Sequence, residues 1–141
     1  MRVVVPAESK AGEKRVALLP DIISKLTKAG LSVSIESGAG IHAGASDESY
    51  REIGASIFSS TDQRKELASA DVILSVQPLS PDQASSLKSG VITISFLSSV
   101  SAKESIDALA KSGATAFSLE ALPRISRAQS MDALTSQALC A

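Results

Sequence analysis

Along most of the chain, short apolar runs alternate with amphipathic stretches. Arg2 to Pro6 strings β-branched residues together without a polar break, which marks a strand buried on both faces of a parallel sheet. Helical spacing takes over after Pro20 and Asp21: Ile22, Ile23, Leu26 and Ala29 fall on one side, and Gly30 stands at the C-terminal cap. Leu31, Val33 and Ile35 then alternate as a second strand. Asp47 to Ile53 follows as a short helix ended by Gly54, and Val72 to Val76 as the next strand. Ser80, Pro81 and Gln83 supply the cap, the first-turn proline and the third-position amide that open a helix reaching about Lys88. Val91 to Leu97 is again a strand. Ser101 and Glu104 form a capping box for a helix with Ile106 and Leu109 as its buried stripe and Gly113 at its end, and Ala114 to Leu119 is the fifth strand.

Strands that alternate with helices predict an α/β fold: an open parallel sheet with helices on both faces, a three-layer α/β/α arrangement of Rossmann-like or flavodoxin-like type. From Ala121 to Ala141 the pattern changes. Pro123 breaks the chain, Arg124 and Arg127 follow, and an alanine-rich segment predicts a helix from Ser130 onward with no terminating signal. Such a helix is expected to pack on a second domain, or on a copy of itself through Met131 and Leu134.

Composition narrows the function classes. The chain has 141 residues, 44% hydrophobic and 21% charged, which describes one soluble globular domain with a core of its own. Lys and Arg total 14 against 15 Asp and Glu, so no basic face is offered to a nucleic acid or an anionic membrane. The opening apolar run is too short for a signal peptide or a membrane span, which predicts a cytoplasmic protein without direct membrane insertion. Cys140 is the single cysteine and His42 the single histidine, so neither a disulfide nor a metal site is expected.

Three stretches could carry chemistry. Gly38-Ala39-Gly40-Ile41-His42-Ala43 matches the dinucleotide fingerprint G-x-G-x-x-G/A after a strand. Gly44, Ala45 and Ser46 prolong the loop before the next helix signal, so the amides would not converge on a pyrophosphate; a plain turn at the sheet edge is expected. The loop from Glu8 to Pro20 carries Glu8, Lys10, Glu13, Lys14 and Arg15 at the carboxyl end of the first strand, where ligand crevices lie, but surface ion pairs explain the same residues. Pro123 to Leu134 places Arg124, Arg127, Gln129 and Asp132 with two serines in a turn that enters a helix. This suits a polar ligand, since Arg donates in a fixed fork and Gln both donates and accepts. It equally suits a helix N-terminus capped by Ser126 or Ser130, with Asp132 in the first turn.

The segment Pro123-Arg124-Ile125-Ser126-Arg127-Ala128-Gln129-Ser130-Met131-Asp132-Ala133-Leu134 closely resembles a signature of the alpha subunit of proton-translocating NAD(P) transhydrogenases. Val5-Pro6-Ala7-Glu8, Glu13-Lys14-Arg15-Val16-Ala17 with Pro20, the V-x-x-E-x-G-A-G stretch from Val33 to Gly40, and Ala70-Asp71-Val72-Ile73-Leu74 agree with the same family, so the resemblance spans nearly the whole chain. It implies that residues 1–141 are the first of two Rossmann-like domains, with the NAD-binding second domain absent. NAD(H) would bind mainly to that second domain, and NADP(H) to a partner subunit. The resemblance also implies a homodimer docked on NADP-binding and membrane subunits, hence peripheral association with the inner membrane. By the same resemblance, Arg124, Gln129, Asp132 and Thr135 fall on cofactor-binding positions, with Gln129 and Asp132 as the catalytic pair. Thr135 stands where serine is usual.

Alanine dehydrogenase, which shares the early motifs, is the alternative among enzymes. That family carries a substrate-holding lysine in K-V-K-E-P and a histidine in L-H-L-A. The aligned stretches here read Ser75-Val76-Gln77-Pro78 and Leu97-Ser98-Ser99-Val100, and only Arg15 remains of the substrate set. A truncated, non-catalytic interaction module is the alternative outside enzymes, suggested by Gln137 to Ala141, which departs from the family's usual continuation.

Overall fold

The computed structural model describes residues 1–97, 102–133 and 135. Its centre is one sheet of six parallel strands: β1 (Arg2–Val5), β2 (Ser32–Glu36), β3 (Ser56–Phe58), β4 (Val72–Leu74), β5 (Ile92–Ser95) and β6 (Thr115–Ser118). The order across the sheet is β3-β2-β1-β4-β5-β6. The direction in which successive strands are added across the sheet therefore reverses between β1 and β4, the switch point of a doubly wound fold. The expected α/β/α architecture is present, with one strand more than the hydrophobic pattern predicts. β3 has only three residues and forms the outer edge beside β2. The Gly38 turn consequently leaves an interior strand and not the sheet edge.

Among the described residues, five α-helices connect the strands: α1 (Pro20–Lys28), α2 (Asp47–Glu52), α3 (Gln63–Ser69), α4 (Pro81–Ser85) and α5 (Lys103–Ser112). α3 is the other element that the pattern misses. α4 opens on the predicted capping box, in which Ser80 Oγ accepts from Gln83 N and Gln83 returns an acceptor to Ser80 N, but it ends at Ser85, before Lys88. α5 begins with Ala102 at its N-cap and ends on Gly113 at φ 74°; Ser101, the expected cap, lies outside the described residues. The helix expected from Ser130 is entered later: Ser126–Met131 is a 3-10 turn entered from extended Ile125, Ala133 and Thr135 are α-helical, and Leu134 lies outside the described residues.

Two apolar clusters hold the layers. On one face Val3 and Val5 of β1 pack with Ile23 of α1 and Tyr50 of α2; on the other Val4 packs with Leu67 of α3, Ala84 of α4 and Leu109 of α5. Burial of these side chains at roughly 25 cal/mol per Å² of apolar surface is the main stabilising term. The first face is covered unevenly. α1 and α2 lie over β1 to β3, while the row formed by Leu74, Ile94 and Phe117, in register across β4, β5 and β6, stays partly open, with Phe117 51% exposed.

Candidate functional site

The loop after β1 and the loop after β4 meet at the switch point. Glu8 reaches across it: its carboxylate accepts from the amides of Val76 at 2.6 Å and Gln77 at 3.0 Å. Burial raises its pKa, the two amides oppose that shift, and Glu13 adds to it. Glu13 lies beside it with a side chain only 7% exposed. It accepts from Arg15 Nε at 2.8 Å, from a terminal guanidinium nitrogen of Arg15 at 2.7 Å, and from Gln77 Nε2 at 2.7 Å. The Arg15 hydrogen bonds hold the Glu13 carboxyl at about 2 against the opposing effect of burial. Arg15 also lies 5.9 Å from the Phe96 ring centre, within range of a cation–π attraction. Glu8, Glu13 and Arg15 of the early loop are thus joined into one network with the exit of β4, while Lys10 and Lys14 are exposed to solvent.

Above the strand ends opens a cavity of about 370 Å³. Leu74 and Ile94 form its floor, Phe96 and Leu119 line it from the exits of β5 and β6, and Arg15 and Leu19 line it from the loop after β1. Tyr50 anchors that loop: it is fully buried, and its hydroxyl donates to Leu18 O at 2.8 Å. Gly40 leaves the room Tyr50 needs, because a Cβ there would come within 2.7 Å of the Tyr50 ring and of Ala45 O. This close approach explains the glycine-rich stretch. Its amides are turned inward, Gly38 N to Asp47 Oδ1 at 2.9 Å, Ala39 N to Glu36 O at 3.0 Å and Ala43 N to Gly40 O at 2.9 Å. No pyrophosphate cradle is formed. Glu36, at the end of β2, is buried and accepts from Ala7 N at 2.8 Å and Gln63 Nε2 at 2.7 Å.

The other candidate segment leaves β6 next to this cavity. Glu120 receives Leu97 N at 3.0 and 3.1 Å, which ties the segment to the end of β5. Beyond it, Arg124, Arg127 and Gln129 are exposed, and their side chains have no hydrogen-bond or ionic partner among the described residues. Asp132 and Thr135 are brought together: Asp132 accepts the Thr135 amide at 3.1 Å and its hydroxyl at 2.6 Å. The acid therefore does the capping expected of Ser126 or Ser130. Sequence reasoning missed Glu8 and Gln77 as partners, since 69 residues separate them.

Comparison with known proteins agrees with this geometry. The family model described as "Alanine dehydrogenase/PNT, N-terminal domain" matches residues 4–141. An NAD(P) transhydrogenase alpha-subunit chain of Rhodospirillum rubrum is 38% identical over 97% of this chain, which spans 36% of that protein's length. The crystal structure of transhydrogenase from Sinorhizobium meliloti superposes with a TM-score of 0.90 at 37% identity, over 98% of this chain and 40% of that one. A solved L-alanine dehydrogenase superposes at 0.77 with 31% identity, over 85% of this chain and 32% of that one.

Proposed function

The chain belongs to the alanine dehydrogenase/PNT N-terminal domain family, and on that footing we propose that it acts as the first domain of the NAD(H)-binding alpha subunit of a proton-translocating NAD(P) transhydrogenase. The observation that carries this reading is the segment after β6, where Arg124 and Gln129 stand exposed and unpartnered beside the Asp132–Thr135 pair. Each has the chemistry for a carboxamide ring. Arg124 presents a donor fork to a carbonyl or phosphate oxygen, Gln129 donates and accepts at once, and Asp132 holds the Thr135 hydroxyl in one orientation. Hydride transfer between two nicotinamides is chemistry the cofactors supply. The domain's task is to position one ring and exclude water, and no side chain has to handle a proton.

In this proposal the pyrophosphate and ribose of NAD(H) rest on a separate second domain, NADP(H) is held by a partner subunit, and the assembly is a dimer carried on membrane subunits at the inner membrane. The inward-turned amides of the Gly38 loop support the first point. No helix among the described residues is long and apolar enough to cross a membrane. Alanine dehydrogenase remains the second reading, favoured by Arg15 at the cavity wall. Gln77 weighs against it, because an uncharged amide stands where that family has its lysine.

The test mixes this chain with the separately expressed NAD-binding domain and NADP-binding subunit and follows hydride transfer. Activity should appear only in the mixture, and Gln129→Ala should lower it about a hundredfold, as loss of ring alignment would. An unchanged rate and NADH affinity in that variant would remove Gln129 from the site, and silence in the mixture with the fold intact would favour a non-catalytic module.

A further inference from the structure

A parallel strand that turns away from its sheet leaves an amide of its neighbour without the carbonyl that would have come next. β6 ends at Ser118, whose partner in register on β5 is Ser95. Two residues farther along each chain stand Leu97 and Glu120, but Leu119–Ala121 has already turned into a 3-10 helix. The Glu120 side chain fills the gap, since both of its carboxylate oxygens accept from Leu97 N, at 3.0 and 3.1 Å. An ionised acceptor makes the stronger kind of hydrogen bond, and one N–H shared between two oxygens fixes the carboxylate on both sides. Leu97 is a firm anchor, because its side chain is buried in the core cluster with Val91 and Leu109.

From that anchor the chain has a short, stiff run to the exposed polar groups. Leu122 is extended at φ −62° and ψ 132°, Pro123 has its φ held by its ring, and Ile125 is extended at φ −116° and ψ 159°. Hydrogen bonds farther along are local: Ala128 N donates to Ile125 O at 2.9 Å and Asp132 N to Gln129 O at 3.3 Å, which shapes the turn without fastening it to the sheet. Ala128 is buried and seats the turn, but a methyl group gives it no direction. A displacement at Glu120 would therefore be carried along the arm to Arg124 and Gln129. We infer that Glu120 is a positioning residue for the segment after β6: by holding the exit of that strand on Leu97 N it fixes where Arg124 and Gln129 stand, acting through them and not on the ring itself. The inference rests on the reading of that segment as the one that orients the nicotinamide.

The test measures Glu120→Ala, Glu120→Gln and Gln129→Ala side by side, each mixed with the separately expressed NAD-binding domain and NADP-binding subunit. Glu120→Ala should lower kcat at least about tenfold, as a small misplacement of an aligning group does, while KM for NADH changes by less than about threefold because the rest of the cofactor is held elsewhere. Glu120→Gln keeps one oxygen to accept from Leu97 N and should recover most of the loss. In the Glu120→Ala chain alone, amide hydrogen exchange should quicken at Ala128 and Asp132 and stay unchanged in β1 and β4. A normal kcat in Glu120→Ala beside a lowered one in Gln129→Ala would overturn the role of Glu120 and leave the reading of the segment standing. Normal rates in both, or a silent mixture of the unaltered chain, would remove that reading and the role of Glu120 with it. Exchange that quickens throughout the sheet would also overturn the inference, since Glu120 would then be part of the scaffold, and so would exchange that quickens nowhere, since it would then hold nothing.

Discussion

Two regions at the carboxyl end of the sheet invite comparison because they are built on opposite plans. At the switch point, Glu8, Glu13, Arg15 and Gln77 use their polar atoms on one another and on the backbone of β4's exit. In the segment after β6, Arg124 and Gln129 hold theirs out to solvent. Paired groups make a rigid wall; unpaired groups on an exposed turn carry little stability and are available to bind something else. The most family-specific motif of the sequence lies in the second region, and the cavity walls lie in the first.

Substitutions should separate the two plans by the size of their effect on folding. Glu8→Ala leaves the amides of Val76 and Gln77 without their acceptor and should cost about 2 kcal/mol in urea unfolding. The Glu13–Arg15 contact should show itself in acid. The Glu13 carboxyl sits at about 2 against an ordinary 4.5, so the folded state binds fewer protons than the unfolded one in that window. Its stabilisation is present above the unfolded value and is lost as pH falls from 4.5 towards 2. With Arg15 43% exposed, solvent screening limits the loss to about 1–2 kcal/mol, and Glu13→Gln should flatten that part of the stability–pH curve. Smallest of all, Arg124→Ala and Gln129→Ala should change stability by no more than about 0.5 kcal/mol. A larger change in either would mean that the exposed segment is part of the scaffold and would erase the contrast.

Much of this contrast was hidden in the sequence. The strands from Arg2, Leu31, Val72, Val91 and Ala114 were legible because each is a compact run of β-branched or apolar residues. Ser56–Phe58 was not, since three residues between Gly54 and Ser59 carry no period, and Gln63–Ser69 has only Leu67 fully buried to mark a helical face. The motif around Gln129 could be read by resemblance, but its backbone could not: a proline, two arginines and two serines suit a 3-10 turn as well as a first α-helical turn. The Glu8 contact joins loops from two strands that are adjacent in the sheet but far apart in sequence, and local pattern holds no record of such a pairing.

The central place of β1 has a consequence for how the molecule comes together. It is the first strand in chain order, yet its two neighbours are β2 and β4, and Val4 finds Ile73 only after both other strands of the sheet's first half, β2 and β3, have been made. During synthesis at roughly 5–20 residues per second, that interval lasts roughly 4–14 seconds. Until it ends, Val3, Val4 and Val5 form a bare margin beside β2, the kind of surface on which nascent chains adhere to one another. The strand buried deepest in the finished molecule is the one that waits longest for cover.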